Sequence, residues 1–142
     1  MRKLIITLTF LINCAAFADV SDWSIKNDNG DYWLHYKNSK KIKAKITKRT
    51  GKSKIVETKD VGKNYELVIY YTGAAGTFNI VNIYYAVIFD KKTMQFIGDY
   101  PWEYKSEQGK KVASPKWEIT QKKITIKDEQ TALDKTISLF SN

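Results

Sequence analysis

Alternation at a period of two limits what this chain can fold into more than any other feature. Successive side chains of a strand point to opposite faces, so polar–apolar alternation marks a strand with one buried face. Residues 41–48 show it strictly. Lys41, Lys43, Lys45 and Thr47 fall on one side, and Ile42, Ala44 and Ile46 on the other. This predicts a half-buried strand with a lysine-coated outer face. Thr50-Gly51-Lys52-Ser53 then turns the chain into residues 54–58, and the pair reads as a solvent-facing hairpin.

The same period recurs along the chain. Trp23-Ser24-Ile25-Lys26 and Tyr32-Trp33-Leu34-His35-Tyr36 flank residues 27–31, a turn-rich linker suited to a hairpin. Residues 65–71 and 79–89 are the two strongest strands. Ile83-Tyr84-Tyr85-Ala86-Val87-Ile88-Phe89 is almost continuously apolar, the mark of a central strand covered on both faces. Asp90-Lys91-Lys92-Thr93 turns into Met94-Gln95-Phe96-Ile97-Gly98, and Pro101, with no amide donor, should end that strand or sit at a sheet edge. Trp117-Glu118-Ile119-Thr120 and Lys123-Ile124-Thr125-Ile126 alternate about a turn at Gln121-Lys122. At the end, Leu133, Ile137 and Phe140 fit one face of a short C-terminal helix, while Thr136-Ile137-Ser138-Leu139-Phe140 also reads as a strand. About eight short strands in series make a mainly β fold, an antiparallel β-sandwich or small barrel.

The N-terminus sets the expected location. Arg2 and Lys3 precede apolar residues 4–12, and Ala16-Phe17-Ala18 offers small side chains to a peptidase, so residues 1–18 read as a signal peptide cleaved after Ala18. The apolar run is shorter than the roughly 20 residues a spanning helix needs. Cys14 follows Asn13, where the lipidation motif asks for a small residue, so a soluble periplasmic product is expected rather than a lipoprotein. Residues 19–142 then form a single β-rich domain, undivided by any linker or repeat. Cleavage removes the only cysteine, and with it any disulfide, thiol nucleophile or thiolate ligand. It also lowers the net charge from +9 to +7 and leaves Arg49 as the only arginine. A lysine-borne charge argues against nucleic acid, whose sites lean on the arginine fork. It favours attraction to an acidic protein or to the anionic envelope.

Few groups are left for chemistry. His35 is the only histidine and stands in no motif, so neither a metal site nor a Ser-His-Asp triad is expected, and no cofactor is implied. Asp99 and Glu103, beside Tyr100, Trp102 and Tyr104, form the one carboxylate pair compatible with sugar hydrolysis. Nothing marks either as held in an apolar pocket, so no catalytic residue is assigned and an enzyme is not expected. Three features suit binding. Thr72-Gly73-Ala74-Ala75-Gly76-Thr77 is an uncharged segment joining the two strongest strands. It lacks the Lys-Ser/Thr and following helix of a phosphate loop, and its small side chains let the backbone enter a narrow cleft. Tyr100, Trp102 and Tyr104 share one face by alternation and suit either a binding hot spot or the core. Lys41, Lys43 and Lys45 form an electrostatic face.

The export signal, the small β-rich domain and the Thr72–Gly73…Gly76 loop between strong strands together resemble bacterial periplasmic lysozyme inhibitors. The precursor is also similar in layout to periplasmic immunity proteins against wall-degrading bacteriocins, the pesticin immunity type among them. In the inhibitors a short Ser-Gly-type loop plugs the muramidase cleft; here Thr72 stands in place of the Ser. The resemblance implies a protein partner, a secreted muramidase or bacteriocin, neutralised by steric loop insertion. An envelope-binding structural module using the lysine face is the alternative.

Overall fold

A computed structural model describes residues 22–139 of the chain. The expected signal peptide, its cleavage site and Phe140 lie outside the described residues. Among the described residues ten strands make three antiparallel sheets of three, four and three strands, sandwich-like and with no closed barrel. The first sheet holds β1 (Trp23–Asp28), β2 (Asp31–Tyr36) and β3 (Lys43–Lys45). Asp28 pairs with Asp31 across a two-residue turn, and Asn29 and Gly30 both take positive φ there, at 52° and 90°. That is the Asn-Gly turn whose twist matches a hairpin.

The second sheet is a meander of β4 (Lys54–Val61), β5 (Tyr65–Ala75), β6 (Val81–Asp90) and β7 (Gln95–Ser106). The third holds β8 (Lys116–Ile119), β9 (Lys123–Asp128) and β10 (Leu133–Ser138), with β9 in the middle. The four-stranded sheet lies between the other two. Val68 and Tyr70 of β5, with Val87 and Phe89 of β6, pack against Trp23, Leu34 and Ile46 on the side of the first sheet. Their chain neighbours Leu67 and Ile88 pack on the other side against Ile124, Ile126 and Ile137 of the third. The alternation of side chains thus feeds two separate cores, which is why residues 83–89 read as apolar throughout.

Two sequence expectations need correcting. Residues 41–48 and 54–58 do not form a hairpin with each other: β3 is only Lys43–Lys45 and pairs with β2, while β4 pairs with β5. After Ile46, whose amide still donates to the Tyr32 carbonyl (2.9 Å), the chain leaves the first sheet because the amides of Thr47 and Arg49 find acceptors on β5, at Tyr70 Oη (3.0 Å) and the Thr72 carbonyl (2.9 Å). The C-terminal segment is a strand rather than a helix, pairing Leu133 with Asp128 and Ile137 with Ile124. Burial of Ile137 on the Ile124 side of the lower core decides between the two periods. Pro101 does not end its strand. It sits within β7, the outer strand of the central sheet, where a missing amide costs no ladder bond on the open side.

The upper core centres on Phe89, fully buried and ringed by Trp23, Tyr36 and Phe96 at centroid distances of 4.9, 5.1 and 5.1 Å. Three aromatic neighbours cannot collapse into the space a benzyl group leaves. Phe89→Ala is therefore expected to cost about 3–5 kcal/mol in urea unfolding. A loss below about 1 kcal/mol would show that the two layers are not held at this point.

Candidate functional site

Glycine chemistry shapes the end of the central sheet where β5 passes into β6. At Gly73 the register slips by one residue and φ is +128°. A Cβ there would lie 2.2 Å from the Thr50 carbonyl oxygen, so only glycine lets the segment carrying Arg49 and Thr50 cross β5 at this point. Thr50 Oγ1 then accepts from the Ala74 amide (3.0 Å) and donates to the Ala74 carbonyl (3.1 Å), closing the crossing. One step earlier a carboxylate anchors the same segment. Asp99 Oδ2 accepts from the Tyr70 hydroxyl at 2.5 Å and from the Thr47 amide and hydroxyl at 3.3 and 3.4 Å. Burial pushes Asp99 up to about 6, with the Tyr70 and Thr47 hydrogen bonds pulling only partway back. The same burial, with the neighbouring Asp99 charge, pushes the Tyr70 phenol well above its ordinary range.

The small-residue segment is mostly strand. Thr72 is fully buried and donates to the Ile83 carbonyl (3.1 Å), while Ala74 and Ala75 pair with Asn82 and Val81. The loop itself is residues 76–80. Gly76, at φ +104°, folds it back so tightly that a Cβ would lie 2.2 Å from the Asn79 carbonyl oxygen. At its tip Phe78 is 97 % exposed, with Ile80 exposed on the same loop. No other described large hydrophobic side chain is nearly so open.

Beside this loop lies a pocket of about 320 Å³. Ala75, Val81, Ile83 and Val112 supply its apolar lining, with Arg49, Asn79, Gln130 and Thr131 as polar contributors. Tyr104 forms part of the wall and donates to Asp128 Oδ2 at 2.7 Å. Asp128 also accepts from the Ser114 and Thr131 hydroxyls and from the Gln130 amide. Burial alone would raise the Asp128 carboxyl; these donors outweigh it and hold it below the ordinary carboxylate range. Burial, then the hydrogen bond and charge of Asp128, push the Tyr104 phenol up, with the Arg49 charge opposing. The exposed Arg49 side chain makes no ion pair among the described residues.

A bulge separates the aromatic candidates. Tyr85 faces Pro101 and Tyr84 faces Glu103, which leaves Trp102 as an extra residue in β7. Tyr100 is opposite Ala86 and Tyr104 opposite Ile83, an odd step on β6, so the two tyrosines lie on opposite faces. Tyr100 and Trp102 pack into the lower core, Trp102 at 4.9 Å from the Trp117 ring, whereas Tyr104 joins the pocket. The slip also parts the two carboxylates. Asp99 is opposite Val87 and Glu103 opposite Tyr84, again on different faces, and Glu103 pairs with Lys105 (3.2 Å) and Lys111 (3.9 Å).

The other candidates are local in their contacts. His35 is buried, with Nδ1 2.8 Å from the Ser39 carbonyl oxygen. Among the described residues no cluster of His, Cys, Asp or Glu is arranged to hold a metal ion, and no helix is long and apolar enough to cross a membrane. Lys41, Lys43 and Lys45 are all exposed. Lys43 lies 4.4 Å over the Trp33 ring and Lys45 pairs with Asp31 at 2.8 Å. No known protein family matches the chain, and neither a curated protein nor a solved structure shows a significant match.

Sequence reasoning took residues 72–77 for the loop, of which only Gly76 and Thr77 lie outside the strands, and it passed over Phe78 and Arg49 as site residues. The signal for Phe78 was a large apolar residue inside a turn-forming stretch; for Arg49 it was a single arginine among lysines. The anchor beneath Arg49 has a measurable signature. Because Asp99 titrates near 6 in the folded state rather than near 3.8, its contribution is fully present below about pH 4 and is lost as pH rises through 6. Between pH 4 and 7 the protein is expected to lose about 2–3 kcal/mol relative to Asp99→Asn in denaturant titrations. A difference that stays constant with pH would mean that Asp99 ionises like a free carboxyl.

Proposed function

We propose that the chain is an exported binding protein that neutralises a cell-wall-attacking enzyme or bacteriocin by inserting the loop of residues 76–80 into its cleft. The observation that carries this reading is Phe78, 97 % exposed at the tip of a hairpin between the central strands. A bare phenyl group is poorly solvated, and aromatic side chains that bury on contact supply a large share of interface energy. The strands beneath stay paired up to Ala75 and Val81, so the tip rests on a rigid base and loses little freedom on docking. The loop carries no charge, while the chain around it is basic. An acidic partner would be drawn in by the lysines and gripped by the loop. Relative to the expected Thr72–Thr77, the inserting element loses Thr72, Gly73, Ala74 and Ala75, keeps Gly76 and Thr77, and gains Phe78. The first four support it from within the sheet.

A second observation favours the envelope-binding alternative. Trp33 stands opposite Lys26 on one side and Lys45 on the other, with Lys43 over its ring, making a basic aromatic face on the first sheet. Such a face suits an anionic polymer, and salt separates the readings. Binding to purified envelope through this face should fall steeply between 50 and 500 mM salt and be lost in a Lys43→Glu/Lys45→Glu variant, roughly as charge screening requires. Binding indifferent to both would remove this alternative.

For the loop reading, the chain should protect a sensitive strain against a lytic enzyme or bacteriocin, starting with products of neighbouring genes. Phe78→Asp should raise the protein concentration needed at least about ten-fold. Its unfolding free energy should stay within about 0.5 kcal/mol, as expected for so exposed a position. Undiminished protection by Phe78→Asp, or no inhibition across the panel, would sink the idea.

A further inference from the structure

Arg49 is where the chain departs from its own habit. Apart from the single histidine, every other basic side chain after residue 18 is a lysine, yet an arginine stands at the pocket beside the loop. What arginine adds over lysine is a planar, permanently charged fork that meets both oxygens of a carboxylate at once. Its main chain is held in place: the amide donates to the Thr72 carbonyl, and Gly73 makes room for Thr50 beside it. The guanidinium has no ion-pair partner among the described residues, and Asp128, the acid behind Tyr104 of the pocket wall, is already engaged by three hydroxyls and an amide. Next to this unspent charge lie Ala75, Val81, Ile83 and Val112.

We propose that this pocket recognises a monocarboxylate carried on a small apolar group, the guanidinium taking the two oxygens and the aliphatic lining taking the flank. One cation matches one negative charge, and the other polar side chains of the lining, Asn79, Tyr104, Gln130 and Thr131, are all neutral, so a carboxylate fits better than a phosphate dianion. A free acid and one presented by a protein, as a glutamate side chain or a chain terminus, share this recognition chemistry. This inference does not depend on the loop reading, because the pocket can be probed without any docking partner.

The chain has two arginines, Arg2 and Arg49, so the side-chain Nε–Hε region of its nitrogen-15 spectrum is sparse, and Arg49→Lys assigns the signal. Isovalerate titrated into the labelled protein should shift the Arg49 Nε–Hε signal and the Val81 and Ile83 methyl signals saturably. Isovaleramide and inorganic phosphate should bind at least about ten-fold more weakly, and Arg49→Lys should weaken isovalerate by a similar factor. Two further probes separate the sources: a tripeptide ending in a free leucine carboxylate, and one with an internal glutamate and an amidated end. Whichever binds more tightly than isovalerate identifies presentation by a protein, and neither doing so identifies a free acid. The proposal is overturned if no carboxylate gives a saturable shift by tens of millimolar. An equal response to the amide, tighter binding of phosphate, or undiminished binding by Arg49→Lys would overturn it equally.

Discussion

The architecture depends on one arrangement, in which neighbouring residues of the same strand serve different cores. Val68 and Leu67, or Val87 and Ile88, are adjacent in the chain and face opposite layers. A sheet used this way cannot tolerate a register slip of one residue, because every side chain would exchange one core for the other. The slips that do occur are local bulges, at Val56 on β4, beside Gly73 on β5, and at Ile97 and Trp102 on β7, and two of them coincide with other contacts. On β5 the slip at Gly73 coincides with the crossing of the Thr50 segment, and on β7 the slip at Trp102 coincides with packing against Trp117. Both lie toward the end of the sheet where the loop and pocket are found.

The polar tie at Asp99 joins the layers in a different way. Tyr70, Thr47 and Asp99 come from β5, from the crossing segment and from β7, and their hydrogen bonds hold the chain where it passes from the first sheet to the second. Arg49 follows two residues later, so its position relative to the pocket is inherited from this tie. The cost is a carboxyl whose charged form is penalised by burial, with Oδ1 left unpartnered. The crossing of the chain into the central sheet thus rests on a contact that weakens as Asp99 ionises.

Much of the fold was legible in the sequence because a period of two is a direct consequence of strand geometry. The continuous apolar run of residues 83–89 likewise announced a strand covered twice. Partnership was less legible: residues 41–48 and 54–58 are adjacent in sequence, yet the amides of Thr47 and Arg49 bind elsewhere. The last segment was ambiguous because Leu133 and Ile137 are four apart, a spacing that suits both a helix turn and a strand face. Bulges leave no compositional trace, so alternation wrongly kept Tyr104 on the face of Tyr100. The pocket was invisible for another reason. Its walls come from Arg49, Val81, Tyr104, Val112 and Gln130, which only the folded chain brings together.

Each of the three sheets is a continuous stretch of chain, its strands joined to sequence neighbours and none borrowed from another layer. Every ladder can therefore close by local hairpin formation, and only the stacking of layers requires distant segments to meet. For a polypeptide that emerges N-terminus first, the first and central sheets can pair and bury Phe89 before the third exists. Leu67 and Ile88 must wait for residues 116–139 to cover them. Until then the lower face of the central sheet is an open apolar surface, and the C-terminal sheet acts as its tethered lid.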